Sequence, residues 1–235
     1  MSFYTEFASY YETIFPFSGT VYAFLRRYIL PSHRRVLDVG CGPGHYAGLF
    51  ALADFEVVGI DLDVAMIETA KQNHPKAEFY VLDMVDIEDL DRRFDAVYCI
   101  GNTAAHLNHD AFSRFLDAVG EVLRPKGPWI LQLMNWDYVL EQDEVDFPVI
   151  EGEGDITFYR TYRDISETEV TFATRLVAEG ETVFEDAVPL YPIRSDEIKG
   201  LHEERGFRLL EHVGSYGGAP FDPGQFSPNV FVFER

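Results

Sequence analysis

The fold is decided by the stretch Val36-Leu37-Asp38-Val39-Gly40-Cys41-Gly42-Pro43-Gly44. Its first four residues form a largely apolar run, which is typical of a buried parallel strand. Glycine then occupies every second position, so the turn can be tight and a ligand can lie against its backbone. The helix expected from about Gly44 to Ala53 offers unpaired N–H groups at its start, and these can bind a carboxylate or another hydrogen-bond acceptor.

Two other ligand-binding loops begin with a similar strand and glycine turn. A dinucleotide-binding fingerprint requires Gly-x-Gly-x-x-Gly, but the sixth position counted from Gly40 is His45. A phosphate-binding P-loop requires Gly-Lys followed by Ser or Thr, and the stretch has no such triplet. A glycine-rich turn that binds no ligand stays open as the alternative.

Composition and charge bound the function. The chain has 235 residues, 47% of them hydrophobic, which is enough for one sizeable core. Its 40 acidic and 19 basic residues give a formal net charge of -21, which argues against nucleic acid and against an anionic membrane as partners. Cys41 and Cys99 are too few for a disulfide framework and indicate a reducing compartment. The sequence shows no signal peptide and no stretch long enough to span a bilayer, so we expect a cytoplasmic protein.

A second apolar strand ends in an acidic residue, Asp61. It follows Gly40 by about 20 residues, where a nucleotide-binding α/β unit places the carboxylate that accepts both ribose hydroxyls. Leu62 and Met66 would then flank the adenine. The alternative is that Asp61 or Asp63 caps the following helix.

The pattern Asp-x-Gly-x-Gly-x-Gly that starts at Asp38 resembles the first motif of class I S-adenosylmethionine (SAM)-dependent methyltransferases of the small-molecule type. A third strand ending at Asp83, a fourth followed by Gly101-Asn102-Thr103-Ala104-Ala105-His106, and a Leu-Arg-Pro-x-Gly turn before the fifth are similar to the same family. The resemblance covers about residues 30–135. It implies SAM as the cofactor and an α/β fold, a seven-stranded, mostly parallel Rossmann-like sheet sandwiched by helices, with an antiparallel last strand.

The resemblance, the glycine turn and the ribose spacing together predict the cofactor-binding residues Asp38, Gly40, Cys41, Gly42, Gly44, Asp61, Leu62, Met66, Asp83, Met84, Ile100, Asn102 and Tyr10. The resemblance implies that Asp83 accepts from the adenine amino group, and a capping role is its alternative. The candidate catalytic residues are His106 and Tyr11. His106 has the pKa range of a general base, although ordering its own loop is the alternative. Tyr11, on the expected N-terminal helix, would line the substrate site. We predict no metal site.

The pattern changes over residues 136–192, where β-rich, partly alternating segments replace the helical period. We expect a three-stranded antiparallel insertion after the fifth strand, acting either as a lid over the site or as a dimerisation sheet. The expected domains are an N-terminal helical cap over residues 1–30, a SAM-binding domain over residues 31–135 and 193–235, and this insertion.

These observations predict methyl transfer from SAM to a nitrogen or oxygen atom of a small molecule. A homodimer, formed through the insertion, stays open as an alternative to the lid. The rival hypotheses are a non-catalytic protein that binds SAM or a related nucleoside, and another nucleotide-dependent α/β enzyme.

Overall fold

The computed structural model describes residue 10, residues 14–152 and residues 155–235. Its strands are β1 (Arg35–Val39), β2 (Glu56–Asp61), β3 (Glu78–Val81), β4 (Ala96–Cys99), β5 (Pro128–Met134), β6 (Val145–Asp146), β7 (Ile150–Gly152), β8 (Ile156–Arg163), β9 (Val170–Ala178), β10 (Glu181–Leu190), β11 (Arg208–Val213) and β12 (Pro228–Glu234). Its α-helices are α1 (Gly19–Tyr28), α2 (His45–Leu52), α3 (Val64–Asn73), α4 (His109–Val122), α5 (Trp136–Val139) and α6 (Ser195–Glu204). The 3₁₀ helices Met84–Leu90 and Thr103–His106 follow β3 and β4.

A large seven-stranded sheet has the order β11-β12-β5-β4-β1-β2-β3. Its strands from β1 to β5 pair in parallel, whereas β12 runs antiparallel to both β5 and β11. The predicted fold class is therefore confirmed, including the antiparallel last strand. Because β1 to β5 are parallel, their carboxyl ends lie at one edge of the sheet, and the loops that leave them meet there.

Apolar side chains cover both faces of this sheet, as expected for parallel strands that read as continuous apolar runs. On one face the core contains Phe112 and Phe115 of α4, and the Phe115 ring meets Trp129 of β5 at 5.7 Å between centroids. On the other face Phe24 of α1 and Phe50 of α2 belong to a second buried cluster. Burial on two faces fixes the strands and, through them, the start of each loop.

The insertion forms a second, antiparallel sheet in the order β10-β9-β8-β6, with β7 paired to β8. The three predicted strands correspond to β8, β9 and β10. The additional elements α5, β6 and β7 were not predicted, because each is too short to show a hydrophobic period. Tyr162 of β8 and Leu190 of β10 belong to the main hydrophobic core, so the insertion packs directly against the large sheet and its helices.

The helix prediction for residues 1–30 falls partly outside the described residues. Within them, α1 begins at Gly19, and the Ser18 side chain caps it by accepting from the N–H of Val21. In the part of the chain that the structure describes, no helix is long and apolar enough to cross a membrane.

Candidate cofactor and acceptor site

The loop after β1 has a backbone conformation that depends on glycine. Gly40, Gly42 and Gly44 have φ values of 71°, 52° and 84°, in the left-handed region that disfavours residues with a Cβ. A Cβ at Gly40 would also lie 2.4 Å from Cγ2 of Thr103, in the loop after β4. The N–H groups of Gly40 and Cys41 both donate to the carbonyl of Ile60, which ties the loop to β2.

Asp61 is held against this loop at the carboxyl end of β2. Its Oδ2 accepts from the N–H of Gly42 at 2.9 Å, and its Oδ1 accepts from the N–H of Asp63 at 3.0 Å. Burial raises the pKa of the Asp61 carboxyl, and these backbone bonds oppose the shift. Each carboxylate oxygen can accept a second hydrogen bond, so the side chain retains the capacity that two ribose hydroxyls require.

The capping role considered for Asp61 belongs to its neighbour. The Asp63 side chain accepts from the N–H of Met66 at 3.0 Å and so caps α3. Met66 is buried, whereas Leu62 is 62% exposed at the rim of the same edge. Of the two residues predicted to flank the adenine, Leu62 thus lies open at the surface and Met66 lies in the interior.

Asp38 is a residue of β1 whose side chain lies in the interior, next to β4. It is only 2% exposed, and the Tyr98 hydroxyl donates to its Oδ2 at 2.8 Å. Burial raises the pKa of Asp38 to about 7, and the nearby charge of Asp61 adds to the increase. Asp38 therefore links two strands beneath the sheet edge from which the glycine loop starts.

Asp83 follows β3, which pairs with β2 so that Asp61 stands opposite Val81. Its Oδ1 accepts from the N–H of Val85 at 3.1 Å, which makes it the cap of the 3₁₀ helix that begins at the buried Met84. The capping alternative is thus observed, and the carboxylate stands at the same sheet edge as Asp61.

Asn102 connects the large sheet to the insertion. Its Oδ1 accepts from the N–H of Met134 at 2.8 Å, and its Nδ2 donates to the Tyr162 hydroxyl at 3.3 Å. The preceding N–H, of Gly101, donates to Gln132 Oε1 at 2.7 Å. Both polar ends of the Asn102 side chain are therefore engaged by the protein, and they fix the loop after β4.

His106 ends the 3₁₀ helix of this loop and is half-buried. Burial lowers the pKa of its imidazole and so favours the neutral form of the ring. Ile100 lies just before the loop and is 9% exposed. Thr103 of the same loop lies beside Gly40, so the structure brings the loop after β4 next to the glycine loop, as expected for strands that share an edge.

Of the two N-terminal tyrosines predicted to line the site, the structure describes Tyr10. Tyr11 lies outside the described residues. Tyr10 packs against a buried cluster that contains Ile14 of its own segment and Phe158 and Leu176 of the insertion. The described part of the N-terminal segment therefore contacts the insertion sheet.

Sequence reasoning missed Tyr162, which is 2% exposed and contacts a group of aromatic rings. Its ring centroid lies 5.3 Å from Trp136, 4.8 Å from Phe147 and 5.4 Å from Phe172. The alternation of β8 places Phe158, Arg160 and Tyr162 on one face, a signal present in the sequence. The alternation does not tell which element packs against that face, because that depends on residues distant in the sequence.

The residues at this edge fit SAM. The glycine loop has the open, left-handed backbone that a close-lying ligand needs, and Asp61 retains acceptor capacity for the ribose. Among the residues that the structure describes, no group of three His, Cys, Asp or Glu side chains is arranged to hold a metal ion.

Known proteins that are similar in sequence are methyltransferases. A family model described as a methyltransferase domain matches residues 36–127. A glycine/sarcosine N-methyltransferase of Halorhodospira halochloris is 27% identical over 207 residues, covering 84% of this chain and 73% of that protein. The putative methyltransferase YqeM of Bacillus subtilis strain 168 is 30% identical over 178 residues, covering 72% of this chain and 67% of that protein.

A solved structure has the same fold over nearly its whole length. An S-adenosylmethionine-dependent methyltransferase from Clostridium acetobutylicum superposes with a TM-score of 0.83, covering 98% of both chains at 15% identity.

Proposed function

Because this chain belongs to the class I SAM-dependent methyltransferases, we propose that its methyl acceptor is a small molecule and that the methyl group goes to an amine nitrogen. The enzyme uses SAM, which supplies an electrophilic methyl group on a sulfonium centre when bound. The acceptor attacks that carbon, and S-adenosylhomocysteine leaves. Orientation of donor and acceptor carries most of the rate in such a displacement.

The observation that carries the proposal is the hydrogen bond between Tyr162 of the insertion and Asn102 of the β4 loop. It supports a site in which the insertion lies over the sheet edge where the glycine loop ends. A covered site of this kind shapes and dries a pocket for a small ligand, which favours a lid over a dimerisation sheet. The net charge of -21 supports the same substrate class, since nucleic acid would be repelled.

Two chemical arguments and one comparison favour nitrogen over oxygen. An amine that arrives neutral has its own lone pair and needs no base before attack, whereas a hydroxyl gains from losing its proton. In addition, the Halorhodospira relative is a glycine/sarcosine N-methyltransferase, and its acceptors are amines. A methylated cationic product would be stabilised among tyrosine rings and carboxylates.

The residue roles that we propose follow from the geometry. The backbone from Gly40 to Gly44 and the carboxylate of Asp61 bind the donor, and in this proposal Asp83 and Leu62 contact its adenine. Asn102 positions the acceptor loop. His106, neutral because it is buried, accepts the proton of a hydroxyl acceptor and is dispensable for an amine.

The test is a screen with methyl-labelled SAM against paired metabolites that differ only in amine or hydroxyl, with tRNA and protein as further arms. We expect transfer to small amines, and His106→Ala should keep most of that rate while losing transfer to hydroxyls. Preferential labelling of tRNA or protein would contradict the substrate class. Tight SAM binding without transfer to any acceptor would instead support the non-catalytic hypothesis.

A further inference from the structure

Arg160 on β8 differs from most arginines that the structure describes, which form ion pairs with carboxylates. Among the described residues no acidic side chain lies within ion-pairing distance of it, although the chain has 40 acids. One Nη donates to the carbonyl of Pro148 at 3.1 Å, and the buried Nε–H has no acceptor. Burial lowers the pKa of the guanidinium. Burying a positive charge whose N–H has no acceptor destabilises the folded protein, and a bound anion would offset that cost.

Aromatic rings surround this guanidinium. Its Cζ lies 4.8 Å from the ring centroid of Phe147, 5.7 Å from that of Phe15 and 5.9 Å from that of Phe158. These rings come from the loop after β6, the N-terminal segment and β8. Cation–π contacts of this kind hold a guanidinium in place without using its N–H groups. The Nε–H therefore remains free to bind an anion.

Arg160 also lies on the same face of β8 as Tyr162, the residue that reaches the β4 loop. Side chains two residues apart on a strand share a face and are separated by about 7 Å. Tyr162 is the next residue on that face, and its hydroxyl contacts Asn102 of the β4 loop. Arg160 is thus one step along the strand from the residue that joins the insertion to the site.

We propose that Arg160 binds a carboxylate of the acceptor, so that the preferred substrate is an amine that also carries a carboxylate. This inference rests on the proposed function. The planar fork of Nε–H and Nη–H matches both oxygens of a carboxylate, and charge-assisted pairs of this geometry are the strong ones. In a chain of net charge -21, a local cation is what allows an anionic acceptor to bind and sets its orientation.

The first test measures binding without catalysis. Phenylacetate and its neutral isostere phenylacetamide are titrated by calorimetry into the full-length protein with S-adenosylhomocysteine present. We expect phenylacetate to bind more tightly than phenylacetamide, and Arg160→Gln to weaken phenylacetate about tenfold to hundredfold while leaving phenylacetamide unchanged. Arg160→Lys should lie between them, because lysine keeps the charge but loses the fork.

Arg175→Gln is the matched control. Arg175 is exposed on β9 and stacks on Tyr159, with its Cζ 4.6 Å from the ring centroid. Its replacement by glutamine removes the same charge from the same sheet. It should leave phenylacetate binding at the wild-type level. Equal phenylacetate affinity in wild type and Arg160→Gln, or equal loss of both ligands in a folded Arg160→Gln, would overturn the assignment.

The second test uses methyl transfer to phenylalanine and to phenylalaninamide. Arg160→Gln should raise KM for phenylalanine at least tenfold, with kcat and the affinity for SAM nearly unchanged, and should spare phenylalaninamide. A uniform loss of kcat for both acceptors would mean that Arg160 only packs the insertion. Absence of transfer to every amine would refute the proposed function, and the binding test would still decide the role of Arg160.

Discussion

Gly40 illustrates at the scale of one residue why the loop after β1 is specific. Its positive φ and the 2.4 Å approach to Thr103 that a Cβ would make both exclude a side chain there. Asp61 and Asp63 show how two neighbouring acids divide two roles, because one contacts the glycine loop and the other caps α3. The sequence alone left that division open, since both acids stand within one helical turn of the same N-terminus.

The two acids provide a paired prediction. Asp61→Ala should weaken SAM and S-adenosylhomocysteine by about tenfold to hundredfold, because it removes a charged acceptor of ribose hydroxyls. Asp63→Ala should keep both affinities and lower the stability by about 1 kcal/mol, the usual cost of a lost helix cap. Calorimetry measures the affinities, and thermal unfolding without ligand measures the stability. Unchanged affinity in Asp61→Ala, with only the unfolding midpoint lowered, would contradict the ribose role.

At the scale of elements, what could be predicted was local. The strands β1, β2 and β4 are apolar runs that end at, or within two residues of, a glycine or an acidic residue, so a strand and its end are both visible within a few positions. The short β6 and β7 carry no such period. The bond between Asn102 and Tyr162 joins residues 60 positions apart, and it depends on how two sheets pack. The cofactor half of the candidate site was therefore predictable, whereas the acceptor half was not.

His202 joins three elements and is neutral in the fold. Trp129 Nε1 of β5 donates to His202 Nε2 at 2.9 Å, and the other ring nitrogen lies 2.6 Å from the carbonyl of Ile198. Because tryptophan only donates, Nε2 must be unprotonated and Nδ1 carries the hydrogen. The ring also stacks on Phe233 of β12 at 3.8 Å between centroids. Protonation would break the bond from Trp129.

This arrangement predicts a pH dependence of stability. Burial lowers the pKa of His202 to about 3, from 6.5 in the unfolded chain. Below about pH 6.5 the His202 side chain binds a proton in the unfolded chain but not in the folded protein. The contribution of neutral His202 to the free energy of unfolding is therefore complete above about pH 6.5 and is lost as the pH falls towards 3. Between pH 7 and pH 5 the loss is about 2 kcal/mol. Urea unfolding of wild type and His202→Gln at both pH values measures it. Equal pH dependence in the two proteins would contradict the assignment.

At the scale of the whole molecule, the insertion packs against the large sheet on one side and against the N-terminal segment on another. Tyr162 belongs to the main core through its ring and reaches the β4 loop through its hydroxyl. Ile14 of the N-terminal segment is buried with Phe158 and Phe184 of the insertion. The insertion therefore contacts both the loop beside the cofactor site and the segment predicted to cover it. Its position should affect the transfer step more than the binding of SAM.

Tyr162→Phe tests that coupling, because it keeps the aromatic packing and removes only the hydroxyl that Asn102 contacts. We expect kcat to fall by about twofold to tenfold, the value of one neutral hydrogen bond, since the acceptor loop would lose one of its two anchors. Affinity for SAM should stay at the wild-type level, because the glycine loop and Asp61 are untouched.

Tyr159→Phe is the control, since Tyr159 lies on the same strand but is exposed on the opposite face. Steady-state kinetics and calorimetry together separate the two effects. If Tyr162→Phe weakened SAM binding as much as it slowed transfer, or if Tyr159→Phe slowed transfer equally, the insertion would act on general stability and not through the β4 loop.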